Sequence, residues 1–247
     1  MTRQMIRTLK RSNPEVFAPG EDITLTFTPR LQLETLFVLN DAGRIVSTRE
    51  PNPGPGPRFM LIRDRFACAW AVHADVSPSS AAELDRLARE EPPTDEVRHE
   101  PVHATHYRGL IEGQVDFGPA FTFPGVLPMP VDIVPIATLA QLQHQFRGWT
   151  ADELPERAPI LALEQEGYQA SVCFSARRSA VAAEAGVETA PRFRGRGLAG
   201  LVTAAWAQAI HASGRLAIYS TSWSNPASLA VARKLGLTVC ASDWSLS

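Results

Sequence analysis

The spacing of apolar positions changes repeatedly along this chain, and each change predicts an element. Residues 22–27 (Asp-Ile-Thr-Leu-Thr-Phe) alternate polar with apolar, as a half-buried strand does. Leu36-Phe37-Val38-Leu39 and Arg44-Ile45-Val46 flank Asn40-Asp41-Ala42-Gly43, which predicts a hairpin. Residues 79–89 have helical spacing with Ser79 or Ser80 as N-cap. Residues 136–146 predict another helix, with Leu139, Leu142 and Phe146 on one face. Two strands at 160–163 and 170–174 flank Gly167, and a third follows at 182–189. Residues 198–212 predict a helix with Leu198, Leu201, Val202, Ala205 and Ala209 facing inward and Gly214 just past its end. A strand at 216–220 comes next. Asn225 as N-cap and Pro226 at the first position then open a helix that closes at Gly236, before a last strand at 237–240.

Proline and glycine divide the chain at 52–57, at 91–93 and from Pro124 to Pro135. The last break is the expected domain boundary. It separates an N-terminal α/β region (1–130), which carries no chemical signature of its own, from a second unit (131–247). No repeat at a solenoid period is visible.

Composition narrows the class. The chain has 247 residues, 45% hydrophobic and 20% charged, as in an ordinary globular protein with a real core. A net charge of −2 argues against a nucleic-acid or membrane-surface partner. Lysine occurs only at Lys10 and Lys234, against many arginines, which reads as the coding bias of a GC-rich genome. Cys68, Cys173 and Cys240 form no CxxC and no disulfide framework. With no signal-peptide core and no long apolar run, a soluble cytoplasmic protein is expected.

The chemistry concentrates in Val187-Glu-Thr-Ala-Pro191-Arg192-Phe-Arg194-Gly195-Arg196-Gly197-Leu198-Ala199-Gly200. A strand runs through a Pro-Arg loop and two glycines into a helix, which is the layout of an anion site on unpaired helix N–H groups. Three arginines there would oppose the helix dipole unless an anion offsets them. Gly195 to Gly200 spells GxGxxG, but Pro191 to Arg194 intervenes after the strand. The next strand ends in Ser220-Thr221-Ser222-Trp223 without a carboxylate, which argues against a dinucleotide fold. The absence of Gly-Lys-Ser/Thr argues against a P-loop.

Arg192-x-x-Gly195-x-Gly197, with Ala199 starting the helix, resembles the Arg/Gln-x-x-Gly-x-Gly/Ala motif of the GNAT superfamily of acyl-CoA-dependent N-acetyltransferases. The order of elements after Ile160, through the Asn225 helix and Lys-Leu-Gly, is similar too, so the resemblance covers residues 136–247. Gly118-Pro-Ala-Phe121 and Tyr219-Ser-Thr-Ser-Trp223 are similar to a bacterial branch that includes zwittermicin-resistance acetyltransferases. The resemblance implies an α/β (α+β) fold with a central mixed, mostly antiparallel sheet flanked by helices. It also implies acetyl-CoA as cosubstrate, no metal, and direct transfer of acetyl to the amine of a small molecule. The N-terminal region would shape the acceptor side, and the oligomeric state stays open, a homodimer included.

Carried onto this chain, coenzyme A's pyrophosphate would lie on the backbone of Arg194, Gly195, Arg196, Gly197, Leu198 and Ala199, where glycine permits close approach. Arg192, Arg194 and Arg196 would add charge. Pantetheine would run along Val187, Glu188 and Thr189, whose N–H groups would stabilise the oxyanion, with Asn225 and Ser228 opposite. A protonated amine needs a base. Glu188 is the first candidate and Glu184, four residues earlier on the same strand face unless a bulge intervenes, is the second. The superfamily's usual tyrosine acid falls at Ala232, which leaves Ser228 or Tyr219 to protonate the thiolate. Trp223 would line the acceptor pocket or simply pack. His99, His103 and His106 have helix-like spacing interrupted by Pro101, and read as a solvated helix start, not a metal site. Two alternatives stay open: peptide or protein N-acetylation, and a non-catalytic acyl-CoA-binding module.

Overall fold

The computed structural model describes residues 25–125, 127, 132–142 and 145–247. The first helix, α1 (Pro29–Leu36), starts where Thr28 Oγ1 accepts the Leu31 N–H at 3.1 Å and Pro29 takes the first turn. The strand expected at 22–27 is not found over 25–27, and 22–24 lie outside the described residues. The hairpin β1 (Phe37–Leu39) and β2 (Ile45–Thr48) forms as expected, its turn tied by Asn40 Oδ1 to the N–H groups of Ala42 and Arg44. β3 (Phe59–Arg63) and β4 (Cys68–Val72) follow. The next helix, α2 (Pro78–Glu90), is capped by Ser77 and not by Ser79 or Ser80, because Pro78 fits only the first turn and puts the cap before it. A short helix α3 (Ala104–Leu110), with His103 at its N-cap position, leads to β5 (Val115–Thr122).

Beyond the proline-rich break come β6 (Ile133–Pro135), the four-residue α4 (Glu153–Glu156), β7 (Leu161–Gln165), β8 (Tyr168–Arg178) and β9 (Ala182–Thr189). The long helix α5 (Leu198–Ala212) precedes β10 (Leu216–Ser220), α6 (Pro226–Lys234) and β11 (Thr238–Leu246). The helix expected at 136–146 is instead a 3-10 turn, Leu139–Gln141. Gln141 folds its side chain back onto the N–H groups of Ala137 and Thr138, both at 2.9 Å. The apolar positions Ile136, Leu142 and Phe146 are buried all the same. In α5, Leu198, Val202 and Ala205 are buried as expected, whereas Leu201 is exposed.

One mixed sheet of nine strands, in the order β4-β3-β11-β5-β10-β9-β8-β7-β6, organises the molecule. Every neighbouring pair is antiparallel except β9 with β10. Strands from either side of residue 130 interleave, with β5 seated between β10 and β11. Helix α5 packs across β7, β8, β9 and β10 around Val202, Trp206 and Ile210. Helix α1 covers part of β3, β4, β8 and β9. Helices α2 and α3 enclose Phe59, Leu61, Tyr107 and Trp244 in a separate core. Among the described residues no helix is long and apolar enough to cross a membrane.

The parallel pair matters most for function. β10 meets β9 only from Leu216↔Ala182 to Ile218↔Glu184, after which β9 continues beside β8 alone and β10 beside β5. The two strands therefore part, and the sheet opens at its centre.

Candidate functional site

The turn from β9 to α5 is set by its glycines. A 3-10 turn, Pro191–Phe193, anchors Phe193 in the core. Gly195 then takes φ 78° and Gly197 takes φ 80° as the N-cap of α5, a left-handed conformation that a side chain would strain. Gly197 brings no side chain to cap the helix, and the first turn of α5 holds no acidic residue. Its leading N–H groups therefore face the cleft with an uncompensated positive dipole.

That cleft encloses about 570 Å³ where β9 and β10 part. Val187, Glu188 and Thr189 form one wall, Gly195, Gly197, Leu198 and Ala199 the mouth, and Tyr219, Asn225 and Ser228 the other wall. These expected site residues converge although the end of β9, the start of α5, β10 and the start of α6 each supply some of them. Of the three arginines only Arg194 lines the cleft, its Nε donating to the Thr189 carbonyl at 3.2 Å. Arg192 lies over the Tyr168 ring at 4.0 Å, and Arg196 reaches Glu166 Oε1 at 3.0 Å, so both are held by the β7–β8 hairpin. The structure adds residues that sequence reasoning passed over: Gln145, Phe146, Arg147 and Lys234. The Lys234 ammonium stands 3.8 Å from where a Cβ on Gly197 would be, next to the helix start. Its only sequence signal was the Lys-Leu-Gly that ends α6.

At the inner end, the Tyr219 hydroxyl and Ser228 Oγ are 2.5 Å apart, and burial pushes the Tyr219 phenol up while Ser228 opposes the shift. Asn225 Oδ1 accepts the Ser228 N–H at 3.1 Å, so capping of α6 places the serine at the cleft wall. Ala232, where the superfamily pattern has tyrosine, is buried in the core and does not line the cleft. Burial pushes the Glu188 carboxyl up, with Trp149 and Arg157 opposing.

Glu184 and Glu188 serve different hollows. The irregularity in this ladder lies in β8, between Ser175 and Arg177, and not in β9. Glu184 is buried, receives a hydrogen bond from the Ser220 hydroxyl and pairs with Arg177 Nη1 at 3.2 Å. It opens into a second cavity, shared with Arg177, Ser220 and Asp243. Tyr219 and Ser220, adjacent on β10, thus face the cleft and the second cavity respectively. Trp223 lines a third hollow beneath the Arg98 guanidinium, 4.0 Å from its ring. His99 pairs with Glu96 at the surface.

Residues 160–242 match the GNAT acetyltransferase family. Similar solved structures include a protein assigned as a GNAT-family acetyltransferase from Novosphingobium aromaticivorans, 21% identical over 54% of this chain and 64% of that one, with a TM-score of 0.44. A GNAT-family acetyltransferase from Colwellia psychrerythraea is 14% identical over 72% of this chain and 76% of its own, with a TM-score of 0.46. A GCN5-related N-acetyltransferase from Sphaerobacter thermophilus is 13% identical over 84% and 78%, with a TM-score of 0.47. No curated protein matches the chain.

Proposed function

We propose that the chain is an acetyl-CoA-dependent N-acetyltransferase that acts on the amine of a small molecule. The observation that carries this reading is the meeting, where β9 leaves β10, of a glycine turn at an uncapped helix start, an unpaired strand edge and a hydroxyl pair. The family match over residues 160–242 supports the same chemistry. Phosphates of the cosubstrate would lie on the α5 N–H groups between Arg194 and Lys234. The pantetheine arm would follow Val187 to Thr189, and a β9 N–H would receive the carbonyl oxygen as charge develops.

Transfer then needs two proton movements. The amine lone pair attacks the thioester carbon, the carbon–sulfur bond breaks, and the nitrogen gives up a proton to Glu184, directly or through Ser220. Glu184 is preferred to Glu188 because it faces a cavity that an acceptor can fill, whereas Glu188 stands within the cosubstrate's cleft. Ser228 Oγ supplies a proton to the leaving thiolate and regains it from the Tyr219 hydroxyl at 2.5 Å, and the proton that Glu184 took from nitrogen passes to solvent, from which the Tyr219 phenolate is reprotonated. This pair takes the place of the tyrosine missing at Ala232. The N-terminal elements shape the acceptor side, since α1, β1, β3 and β5 supply Leu36, Phe37, Met60 and Phe117 to the second cavity. The two stretches similar to the zwittermicin-resistance branch lie side by side, with the Thr221 N–H on the Pro119 carbonyl at 3.2 Å.

A thiol-release assay with acetyl-CoA and a panel of free amines and peptides tests the reading. Amine-dependent release, with one N-acetyl product per thiol, is expected from a free amine. Release that no amine accelerates would leave the acyl-CoA-binding module, which the Ala232 departure favours; acceleration by peptides alone would point to protein acetylation.

A further inference from the structure

The β7–β8 hairpin turns in two residues, Glu166 and Gly167, between the paired ends Gln165 and Tyr168. Both take positive φ, 56° and 76°. Such a turn favours Asn-Gly, because asparagine and glycine tolerate the left-handed region better than a longer side chain does. Glu166 is the one non-glycine residue with positive φ among the described residues. Its backbone is strained where local preference alone selects a different residue.

What glutamate contributes at this place is a carboxylate. Glu166 Oε1 accepts a hydrogen bond from Arg196 Nη1 at 3.0 Å, and Gln165 Oε1 accepts from the same nitrogen at 3.3 Å. Arg196 stands between Gly195 and Gly197, which form the mouth of the cleft. Of the cations at this turn, Arg192, Arg194, Arg196 and Lys234, only Arg196 is paired with a carboxylate among the described residues. Both members of the pair are exposed, so the bond is weak, screened by salt and readily exchanged for a better one. A phosphate on the α5 N–H groups offers the better one. It has more oxygens, it sits at the positive end of the helix dipole, and it repels the Glu166 carboxylate.

We propose that Glu166 is a built-in competitor for the cosubstrate's phosphates: it holds Arg196 against the hairpin in the empty protein and yields it when acetyl-CoA enters. The inference rests on the acetyl-CoA reading of the cleft and adds how tightly that cleft holds its ligand. Before the ligand arrives, the carboxylate offsets part of the positive charge crowded at the turn. Once it arrives, breaking the pair subtracts from the binding free energy. Acetyl-CoA and coenzyme A carry the same phosphates, so the carboxylate loosens the spent product as much as the substrate.

Calorimetric titration of acetyl-CoA into the full chain and its Glu166→Gln and Glu166→Asn variants, at about 20 mM salt, tests this. Both variants are expected to bind about 3- to 10-fold more tightly, and coenzyme A should tighten by the same factor. At about 0.5 M salt the gain should fall below about 2-fold. Neither exchange endangers the fold, since the residue is exposed and asparagine suits the turn. In an Arg196→Gln background the gain should also fall below about 2-fold, because no guanidinium is left to compete for. A gain that Arg196→Gln leaves intact would overturn the inference. So would a gain in Glu166→Asn alone, since relief of the backbone and not loss of charge would then be responsible. Acetyl-CoA binding that Glu166→Gln leaves unchanged or weakens would sink this inference and spare the functional reading; absence of binding in every form would sink both.

Discussion

Replacing Asp243 by asparagine should make the empty protein more stable in alkaline solution and not in acid. The ordinary carboxyl value of 3.8 rises to about 8 at this position because the group is buried beside Glu184 and Asp116. The folded chain therefore binds this proton more tightly than the unfolded chain. The stability it contributes is full below the ordinary value and is lost as pH rises toward the folded one. At about 1.4 kcal/mol per pH unit, the gap sets a ceiling of about 5 to 6 kcal/mol on the penalty in alkaline solution. Asparagine removes the charge and can keep the Gln32 hydrogen bond, and a poorly paired buried amide costs at most about 1–3 kcal/mol. The net gain at about pH 9 is thus about 2–4 kcal/mol, and it shrinks below about 1 kcal/mol at about pH 5. Urea unfolding followed by tryptophan fluorescence reads this as a shift of midpoint, with the buried Trp244 next in sequence as a local probe. The reasoning is refuted if the variant shifts the midpoint equally at both pH values or lowers it in alkaline solution.

Other consequences can be checked singly. Arg194→Glu combined with Lys234→Glu should weaken acetyl-CoA binding by about 100-fold by calorimetry, since both cations border the α5 start, while the thermal transition of the empty protein stays in place. Ser228→Ala and Tyr219→Phe should each lower kcat by about 10- to 100-fold with little change in KM for acetyl-CoA, and the double variant should cost no more than the larger single loss if the pair acts as one relay. Gly186→Ala should destabilise the fold by about 1–3 kcal/mol in chemical unfolding, because its Cβ would fall 2.5 Å from the Phe174 ring.

The second half of the chain was legible because its signals are local. Asn225-Pro226, the Gly167 turn and the Gly214 helix end each act within a few residues, and the strands at 182–189 and 216–220 appear with the expected bounds. β3 gave no alternation to read, since all five of its residues are buried. At 136–146 apolar spacing suggested a helix, but Gln141 satisfies the first backbone donors with its own side chain and the chain leaves the helical path. The cleft was visible because its parts follow one another in sequence, whereas Lys234 joins it only through the packing of α6 against α5. Arg192 and Arg196 looked like phosphate ligands by position, yet Tyr168 and Glu166 on a distant hairpin hold them. The second cavity had no sequence signature at all. Its carboxylates lie at positions 116, 184 and 243 and share one cavity only because β5 is seated between β10 and β11.

The central claim is that the opening between β9 and β10 binds an acyl-CoA. Calorimetric titration of acetyl-CoA into the full chain tests it most directly. The account predicts saturable binding to one site per chain with a dissociation constant of about 1–100 µM. An absence of saturable heat up to about 1 mM ligand would contradict it.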